Sequence, residues 1–227
     1  MEVEFIECRY KSEAKLSKAQ IQKLPKCVGI CATLQYIDSL PGIKSSIEAT
    51  GRKVELLETD NGFYRGQILG CSKLGLANFE GVLFVGDGMF HPINIKMQFK
   101  GDVFVFNPYT HEFRRVGEGE VVHYRKRIKA AYTRFLSAKS VGVLISTKPG
   151  QVWNDFDKLE SIFPEKRFYY LVFDNISLGE LENFPFVEVF VNTACPRIGL
   201  DDSFEHGKPV LNISDLKSLH NKISTYR

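Results

Sequence analysis

Cysteine is scarce in this sequence, apolar runs are short, and neither sign of charge dominates. Five cysteines among 227 residues, an odd number without secretory features, indicate reduced thiols rather than a disulfide framework. No apolar run approaches the roughly 20 residues of a membrane-spanning helix, and the amino terminus MEVEFIEC does not fit a signal peptide. A net charge of +3 favours neither nucleic acid nor an anionic membrane as a partner. We therefore predict a cytoplasmic protein that binds neither.

What is present is the composition of a globular protein. Hydrophobic residues make up 44% of the chain and charged residues 25%, which is enough apolar material for a core. Short β-rich runs alternate with amphipathic stretches, a pattern typical of mostly parallel sheets flanked by helices. Strands are predicted at Val3 to Ile6, Cys27 to Thr33, Lys53 to Leu57, Gly81 to Val85, Val103 to Phe106, Val141 to Ser146, Phe168 to Phe173, Phe186 to Val191 and Pro209 to Leu211.

The longest predicted helix, from Glu120 to Ala138, separates two similar halves. Apolar residues recur along it at spacings of three and four, while Lys and Arg take the other, solvated face. Before it, CVGICAT leads through a helix to KVELLE, and after it SVGVLIST leads through a helix to RFYYLVF. We therefore predict two tandem three-layer α/β units with mostly parallel sheets and helices on both faces, at residues 1–138 and 139–227.

The position of each cysteine relative to the predicted strands separates packing residues from candidate ligands. Cys27 and Cys31 lie on one strand, and a rise of about 3.3 Å per residue puts them roughly 13 Å apart, too far to share a metal. We interpret them, and Cys8, as packing residues. Cys71 and Cys195 follow strand-like runs, on loops at the carboxyl ends of strands, where such sheets bind ligands. A thiolate would be favoured there, although lone thiols are more often inert.

The segment GVLFVGDGMFHP predicts a ligand-binding turn. A buried strand ends in Gly86, Asp87 and Gly88, and His91 follows before Pro92 opens a helix. Glycines allow close approach of a ligand to the backbone, and a helix start favours an anionic group. Asp87 is placed to hold a hydroxyl or an ammonium group. The alternative is an ordinary strand–turn–helix connection with a turn histidine.

Two loops of the second half also place polar groups at strand ends. ISTKPGQ carries Lys148, Gly150 and Gln151, a set that suits a carboxylate or a nucleoside. Lys148 is equally consistent with an exposed side chain. CPRIGLDD follows Cys195 with Arg197, and its acidic residues either contact that arginine or cap the next turn. Those acidic residues are Asp201 and Asp202.

Five motifs stand in one order along the chain: GQILGC, VGDGMFHP, FNPYT, ISTKPGQ and TACPRIGLDD. With these motifs in this order, the sequence resembles the archaeal diphthamide synthase family, 2-(3-amino-3-carboxypropyl)histidine synthase, over nearly its whole length. The family has three similar α/β domains, each giving one cysteine to a 4Fe-4S cluster whose open iron binds S-adenosylmethionine. The resemblance implies reductive carbon–sulfur cleavage, transfer of a 3-amino-3-carboxypropyl radical to a histidine of elongation factor 2, and release of 5'-methylthioadenosine.

The resemblance also assigns residues, although no catalytic side chain. Cys71 matches the cluster cysteine of the family's middle domain, and Cys195 matches that of its last domain. Met89 stands where the family often has Arg, and Asn107 where it often has Asp. Positions implied to bind S-adenosylmethionine are Gly86, Asp87, Gly88, His91, Lys148, Gly150, Gln151, Arg197 and Asp201.

The family's first domain and its cysteine have no counterpart here, so we predict a truncated homologue. A homodimer partner or a full-length relative would then supply the third ligand, for which Cys31 is the nearest candidate within the chain. One alternative is a non-catalytic module that binds S-adenosylmethionine or methylthioadenosine, or an accessory subunit. Another is a mononuclear zinc site, for which the candidate ligands are Cys71, Cys195, His91 and His206.

Overall fold

Two sheets form the framework of the described structure, one in each of two units, Met1–Val121 and Val122–Arg227. The computed structural model describes residues 4, 6–11, 15–201 and 207–224, without the side chains of residues 156 and 221–224. Within these ranges, no helix is both long enough and apolar enough to cross a bilayer.

The first unit is built on a five-stranded sheet in the order β2-β1-β3-β4-β5. Four strands are parallel, and β5 pairs antiparallel with β4. The strands are β1 Cys27–Ala32, β2 Lys53–Leu56, β3 Gly81–Val85, β4 Asp102–Phe106 and β5 Phe113–Arg115. The helices are α1 Lys18–Gln22, α2 Leu40–Glu48 and α3 Phe90–Gln98, with a 3₁₀ segment at Leu34–Ser39; α4, Glu118–Ser137, leads into the second unit.

The second unit repeats the order of the parallel strands, as β7-β6-β8-β9. All its strands are parallel. They are β6 Ser140–Ser146, β7 Arg167–Phe173, β8 Val189–Asn192 and β9 Val210–Asn212. The helices are α5 Phe156–Ile162, α6 Arg197–Leu200 and α7 Ile213–Ser224, with a 3₁₀ segment at Leu178–Asn183. The predicted fold class, tandem α/β units with mostly parallel sheets, is therefore confirmed.

The central strands are buried because helices and loops cover both of their faces. Every residue of β3 is buried, and so are five of the six residues of β1, the first residue being half-buried. This explains why these strands read as continuous apolar runs rather than as alternating patterns. In the first unit Ile30, Leu83 and Phe106 share one core, and in the second Phe135 and Val143 share another.

Three details of the predicted strands differ from the structure. The strand predicted at Phe186 to Val191 begins only at Val189, because the preceding residues form a turn in which the Val187 N–H donates to the Phe184 carbonyl at 3.1 Å. The short strand β5 was not predicted, since three residues with two arginines carry no strand pattern. The strand predicted at Val3 to Ile6 falls partly outside the described residues, and its described positions are not in a strand.

In each unit, a glutamate carboxylate just before the third strand accepts hydrogen bonds from backbone N–H groups at the start of the first strand. Glu80, just before β3, accepts hydrogen bonds at 3.0 and 3.3 Å from the backbone N–H groups of Lys26 and Cys27 at the start of β1. Glu188, just before β8, accepts bonds at 2.6 and 3.3 Å from the two N–H groups at the start of β6. Backbone donors at the strand starts are thereby satisfied, and the repeat extends to this level of detail.

The Glu188 carboxylate is expected to stabilise the fold at neutral pH and to lose this effect in acid. The N–H groups of Lys139 and Ser140 hold the pKa of its carboxyl below the ordinary value. A lowered folded-state pKa means that the stabilisation is present above the unfolded pKa, about 4.3, and is lost as pH falls through the folded pKa. We expect Glu188→Gln to flatten the fall of melting temperature below about pH 4.3, measured between pH 3 and 7. Glu182→Gln, at an exposed position, is the control. If the melting temperature of Glu188→Gln falls with pH as steeply as that of the wild type, the prediction is wrong.

Candidate functional site at the carboxyl ends of the strands

The loop that carries Cys71 leaves the first sheet at the carboxyl end of β1. Gln67 forms a parallel bridge with Ala32 there, and the loop returns antiparallel to the segment after β2 through a bridge of Thr59 with Leu74. Cys71 is exposed at the bend. Its Sγ accepts a hydrogen bond from the Asn61 side-chain amide at 3.1 Å. The prediction of a thiol on a carboxyl-end loop agrees with this position.

Helix α3 holds the Cys71 loop from the other side. The Asn94 Nδ2 donates to the Gly70 carbonyl at 2.6 Å. A Cβ at Gly70 would overlap the ring of Phe90, so only glycine permits this close approach. Because α3 begins directly after the turn that ends β3, these contacts bring Cys71 and the predicted ligand-binding turn to the same edge of the sheet.

The turn after β3 is open on one side and closed on the other. Gly86 is buried, its N–H donates to the Phe106 carbonyl at 3.0 Å, and a Cβ there would meet the Phe84 ring at 2.6 Å. Gly88 has a φ of +69°, a backbone conformation that glycine adopts easily, and the space where a Cβ would stand is open. Asp87, between them, is exposed.

Helix α3 starts at Phe90, two residues before the predicted opening at Pro92. His91 therefore lies in its first turn, half-buried, with its ring stacked on Phe84 at a centroid distance of 5.7 Å. Asp87 faces a different neighbour: burial and the Asp87 carboxylate both raise the pKa of the Tyr36 hydroxyl. The two predicted polar groups of this motif thus have distinct surroundings.

A cleft of about 500 Å³ opens beside this turn, toward β4 and β5. Arg114 and Glu120 form a two-pronged ion pair at 2.9 and 3.2 Å, and this bond lowers the pKa of Glu120. Asn107 Oδ1 accepts bonds from the Tyr109 and Thr110 N–H groups at 2.9 and 3.2 Å, bonds that an aspartate in its place would also accept. The cleft is lined by Gly86, Gly88, Met89, Val105, Asn107, Glu112 and Arg114.

Sequence reasoning missed Glu112 and Arg114 as cleft residues. The only available signal was the FRR stretch that follows FNPYT, and it becomes informative only once β5 folds back on β4. Arg114 then stands opposite Val105 in the ladder.

In the second unit, two buried asparagines hold the turn that presents Cys195. Asn192 Nδ2 donates to the Cys195 carbonyl at 2.9 Å and to Asn212 Oδ1 at 2.7 Å. Asn212 Nδ2 in turn donates to the Pro196 carbonyl at 2.9 Å. Cys195 itself is half-buried. The turn directly after β8 is therefore tied to both β8 and β9, and Cys195 follows the carboxyl end of β8.

Arg197 and Asp201 lie on either end of α6 and form an ion pair, with Nε and Oδ2 3.6 Å apart. Asp201 also accepts a hydrogen bond at 2.8 Å from the Tyr124 hydroxyl of α4. The contact of an acidic residue with Arg197, one of the two interpretations of CPRIGLDD, is present. Asp202 and His206 lie outside the described residues.

The ISTKPGQ loop forms a tight turn at the end of β6. The Gln151 N–H donates to the Lys148 carbonyl at 3.0 Å, and Gly150 has a φ of +79°. Proline followed by glycine with positive φ is the signature of a type II turn. Lys148 is exposed and Gln151 is half-buried, and the turn places both residues after the carboxyl end of β6.

The other cysteines are separated from these loops by burial or position. Cys31 is fully buried, and burial raises the pKa of its thiol, which disfavours a thiolate ligand. Cys27 donates its thiol to the Asn78 carbonyl at 3.3 Å. Across residues 4, 6–11, 15–201 and 207–224, no three His, Cys, Asp or Glu side chains gather as a metal site. The predicted zinc alternative has no assembled ligand set among these residues.

Known proteins similar in sequence to this chain test the predicted family. A family model described as "Putative diphthamide synthesis protein" matches residues 1–226. The chain belongs to this family. Among curated members of the diphthamide synthesis family, it is 31% identical over 205 residues to the 2-(3-amino-3-carboxypropyl)histidine synthase of Pyrococcus horikoshii, covering 88% of this chain and 59% of that protein. It is 34% identical to that of Methanocaldococcus jannaschii, covering 85% and 51%.

Solved structures of the family agree with the fold. The crystal structure of Dph2 from Pyrococcus horikoshii superposes with a TM-score of 0.78 at 28% identity, covering 88% of this chain and 59% of that one. Dph2 from the same organism with a 4Fe-4S cluster gives a TM-score of 0.76, with 90% and 60% covered. The predicted family is confirmed, and the chain spans between half and three fifths of the length of these relatives.

Proposed function

We propose that this chain binds a 4Fe-4S cluster and S-adenosylmethionine and acts in 3-amino-3-carboxypropyl transfer to a histidine of elongation factor 2 in the cytoplasm. The observation that supports the proposal is that an exposed cysteine, Cys71, and a half-buried one, Cys195, lie on carboxyl-end loops of two repeated parallel sheets. A solved relative of the same fold contains a 4Fe-4S cluster.

The donor chemistry fits iron. Iron–sulfur clusters are ligated by cysteine thiolates, and a thiolate needs access, hydrogen-bond donors and a loop that holds its position. Cys71 is exposed and accepts an amide hydrogen bond. Cys195 lies on a turn held by two buried asparagines. Each unit, described by itself, thus presents one cysteine in a ligand-like setting.

When bound, the cluster would supply the electron that cleaves the carbon–sulfur bond of S-adenosylmethionine. The surrounding residues would bind and orient the substrate. The Gly88 backbone lets a ligand approach closely, Asp87 offers a carboxylate to an ammonium or a ribose hydroxyl, and Lys148 and Gln151 offer donors to a carboxylate or a nucleoside. We assign His91, Gly86, Gly150, Arg197 and Asp201 to the walls of these subsites.

Cys71 and Cys195 would supply two thiolate ligands, whereas a cysteine-ligated 4Fe-4S cluster takes up to four. We propose that a second copy of the chain, or a full-length family member, completes the coordination. Cys31 does not fill this role, since its thiol is enclosed in the core of the first unit.

Anaerobic reconstitution tests the proposal. Iron and sulfide per chain are counted first, and dithionite is then added with S-adenosylmethionine. We expect a 4Fe-4S absorption and EPR signature, with 5'-methylthioadenosine released in the presence of the completing partner. Absence of iron above background, with and without a full-length family member, excludes cluster-dependent function.

A second candidate function is a non-catalytic module that binds S-adenosylmethionine or methylthioadenosine. It is favoured by the 500 Å³ cleft, whose lining contains no cysteine and comes from the first unit alone. Calorimetry on cluster-free protein distinguishes the two: saturable methylthioadenosine binding without iron supports the module, and binding that requires iron supports the cluster protein.

A further inference from the structure

Asn61 belongs to a hydrogen-bond network whose last member is the Cys71 sulfur. The Leu69 N–H donates to Ser72 Oγ at 2.8 Å, and the Ser72 hydroxyl donates to Asn61 Oδ1 at 2.5 Å. The Asn61 Nδ2 then donates to Cys71 Sγ at 3.1 Å. Neighbouring Asp60 accepts from the Lys73 N–H at 2.9 Å. Asp60 and Asn61 therefore hold the bend that carries the thiol.

This network determines which end of the Asn61 amide faces the sulfur. A side-chain amide has an acceptor oxygen and a donor nitrogen that are interchangeable in shape. Because the buried Ser72 hydroxyl, itself an acceptor for a backbone N–H, gives its proton to the oxygen, the NH₂ group is left to point at Cys71. The sulfur thus faces a donor.

A donor aimed at sulfur has a consequence for a bound cluster. A thiol sulfur is a weak acceptor, whereas a cluster thiolate carries negative charge and accepts more strongly. Reduction adds further negative charge to the cluster, so a hydrogen bond to its sulfur stabilises the reduced state more than the oxidised one. Hydrogen bonds to the sulfurs are among the factors that set cluster potentials.

We infer that Asn61 is a positioning residue that holds Cys71 for ligation and raises the reduction potential of the cluster through its N–H···S bond. The inference rests on the proposed cluster function. It adds a residue that carries no iron and touches no substrate, and that acts only through the ligand sulfur.

The test is a redox titration of the reconstituted protein, followed by EPR, in wild type, Asn61→Leu and Asn61→Asp. Leucine removes both amide atoms without adding charge. Aspartate keeps an acceptor for Ser72, removes the donor and adds a negative charge, which itself disfavours reduction. We expect a more negative potential in both variants. At the wild-type midpoint the reduced-to-oxidised ratio should fall about tenfold, which corresponds to 59 mV for a one-electron couple. Asn78→Leu, at an exposed position of the same loop, is the matched control and should titrate like wild type.

Each outcome of this experiment either supports or overturns the proposed role of Asn61. Equal iron content with unchanged potentials in both Asn61 variants overturns the inference and leaves the proposed function intact. A wild type that holds no iron removes both. Loss of iron from both Asn61 variants, with native circular dichroism and full iron in Asn78→Leu, supports the positioning role, because the sulfur is then no longer held for ligation.

Discussion

Replacing Cys71 and Cys195 together by alanine is expected to reduce the iron taken up on anaerobic reconstitution to background. The reason is that a cluster needs thiolate ligands, and these are the two thiols that lie on carboxyl-end loops. Each single substitution leaves one thiolate and should already remove most of the iron. The measurement is iron and sulfide per chain, with the 4Fe-4S absorption as a second readout.

Cys8→Ala is the matched control, because Cys8 is also an exposed thiol but lies in an amino-terminal segment that follows no strand. It should retain wild-type iron. Both loops lie at the surface, so the double variant should fold, and its circular dichroism checks this. Unchanged iron in the double variant contradicts the assignment of both ligands.

Phe135→Ala should destabilise the second unit by about 3–5 kcal/mol. Phe135 is fully buried on α4, and its ring packs edge-on against Phe163 at a centroid distance of 4.9 Å. The Lys166 ammonium lies 5.0 Å from the same ring. Alanine would remove these contacts and leave a cavity that the surrounding strands cannot close. Chemical denaturation, followed by circular dichroism, measures the loss.

The neighbouring residue provides the comparison. Leu136 is 49% exposed on the same helix, so Leu136→Ala should change the free energy of unfolding by less than about 0.5 kcal/mol. Similar destabilisation by the two substitutions would mean that α4 is not packed through the face that carries Phe135.

The local sequence pattern was sufficient to predict most of the strands and the longest helix. The alternation of β-rich runs and amphipathic stretches predicted seven of the eight described parallel strands to within a residue or two. The central strands are covered on both faces and are therefore apolar throughout. Helix α4 was predicted at Glu120 to Ala138 and observed at Glu118–Ser137, since its apolar residues repeat with helical spacing. Strand β5 was not predicted, because a strand of three residues is too short to show an alternating pattern.

The candidate site was predictable in part for the same reason. Residues that follow a buried parallel strand must emerge at its carboxyl edge, so Gly88 and Cys195 could be placed there from the sequence. Cys71 follows a strand-like run that forms no strand, and its loop reaches this edge through the bridge of Gln67 with Ala32. The cleft beside Gly88 could not, because Arg114 reaches it only through the reversal of β5 onto β4.

The order of motifs and strand ends along the chain therefore determined the family, the α/β class and the edges at which thiols emerge. The tertiary structure alone decided what surrounds each sulfur: Asn61 reaches Cys71 across ten residues, and Asn212 reaches the Cys195 turn from another strand. Hydrogen bonds of this kind depend on the register of paired segments and the path of loops. No periodicity within either segment encodes them.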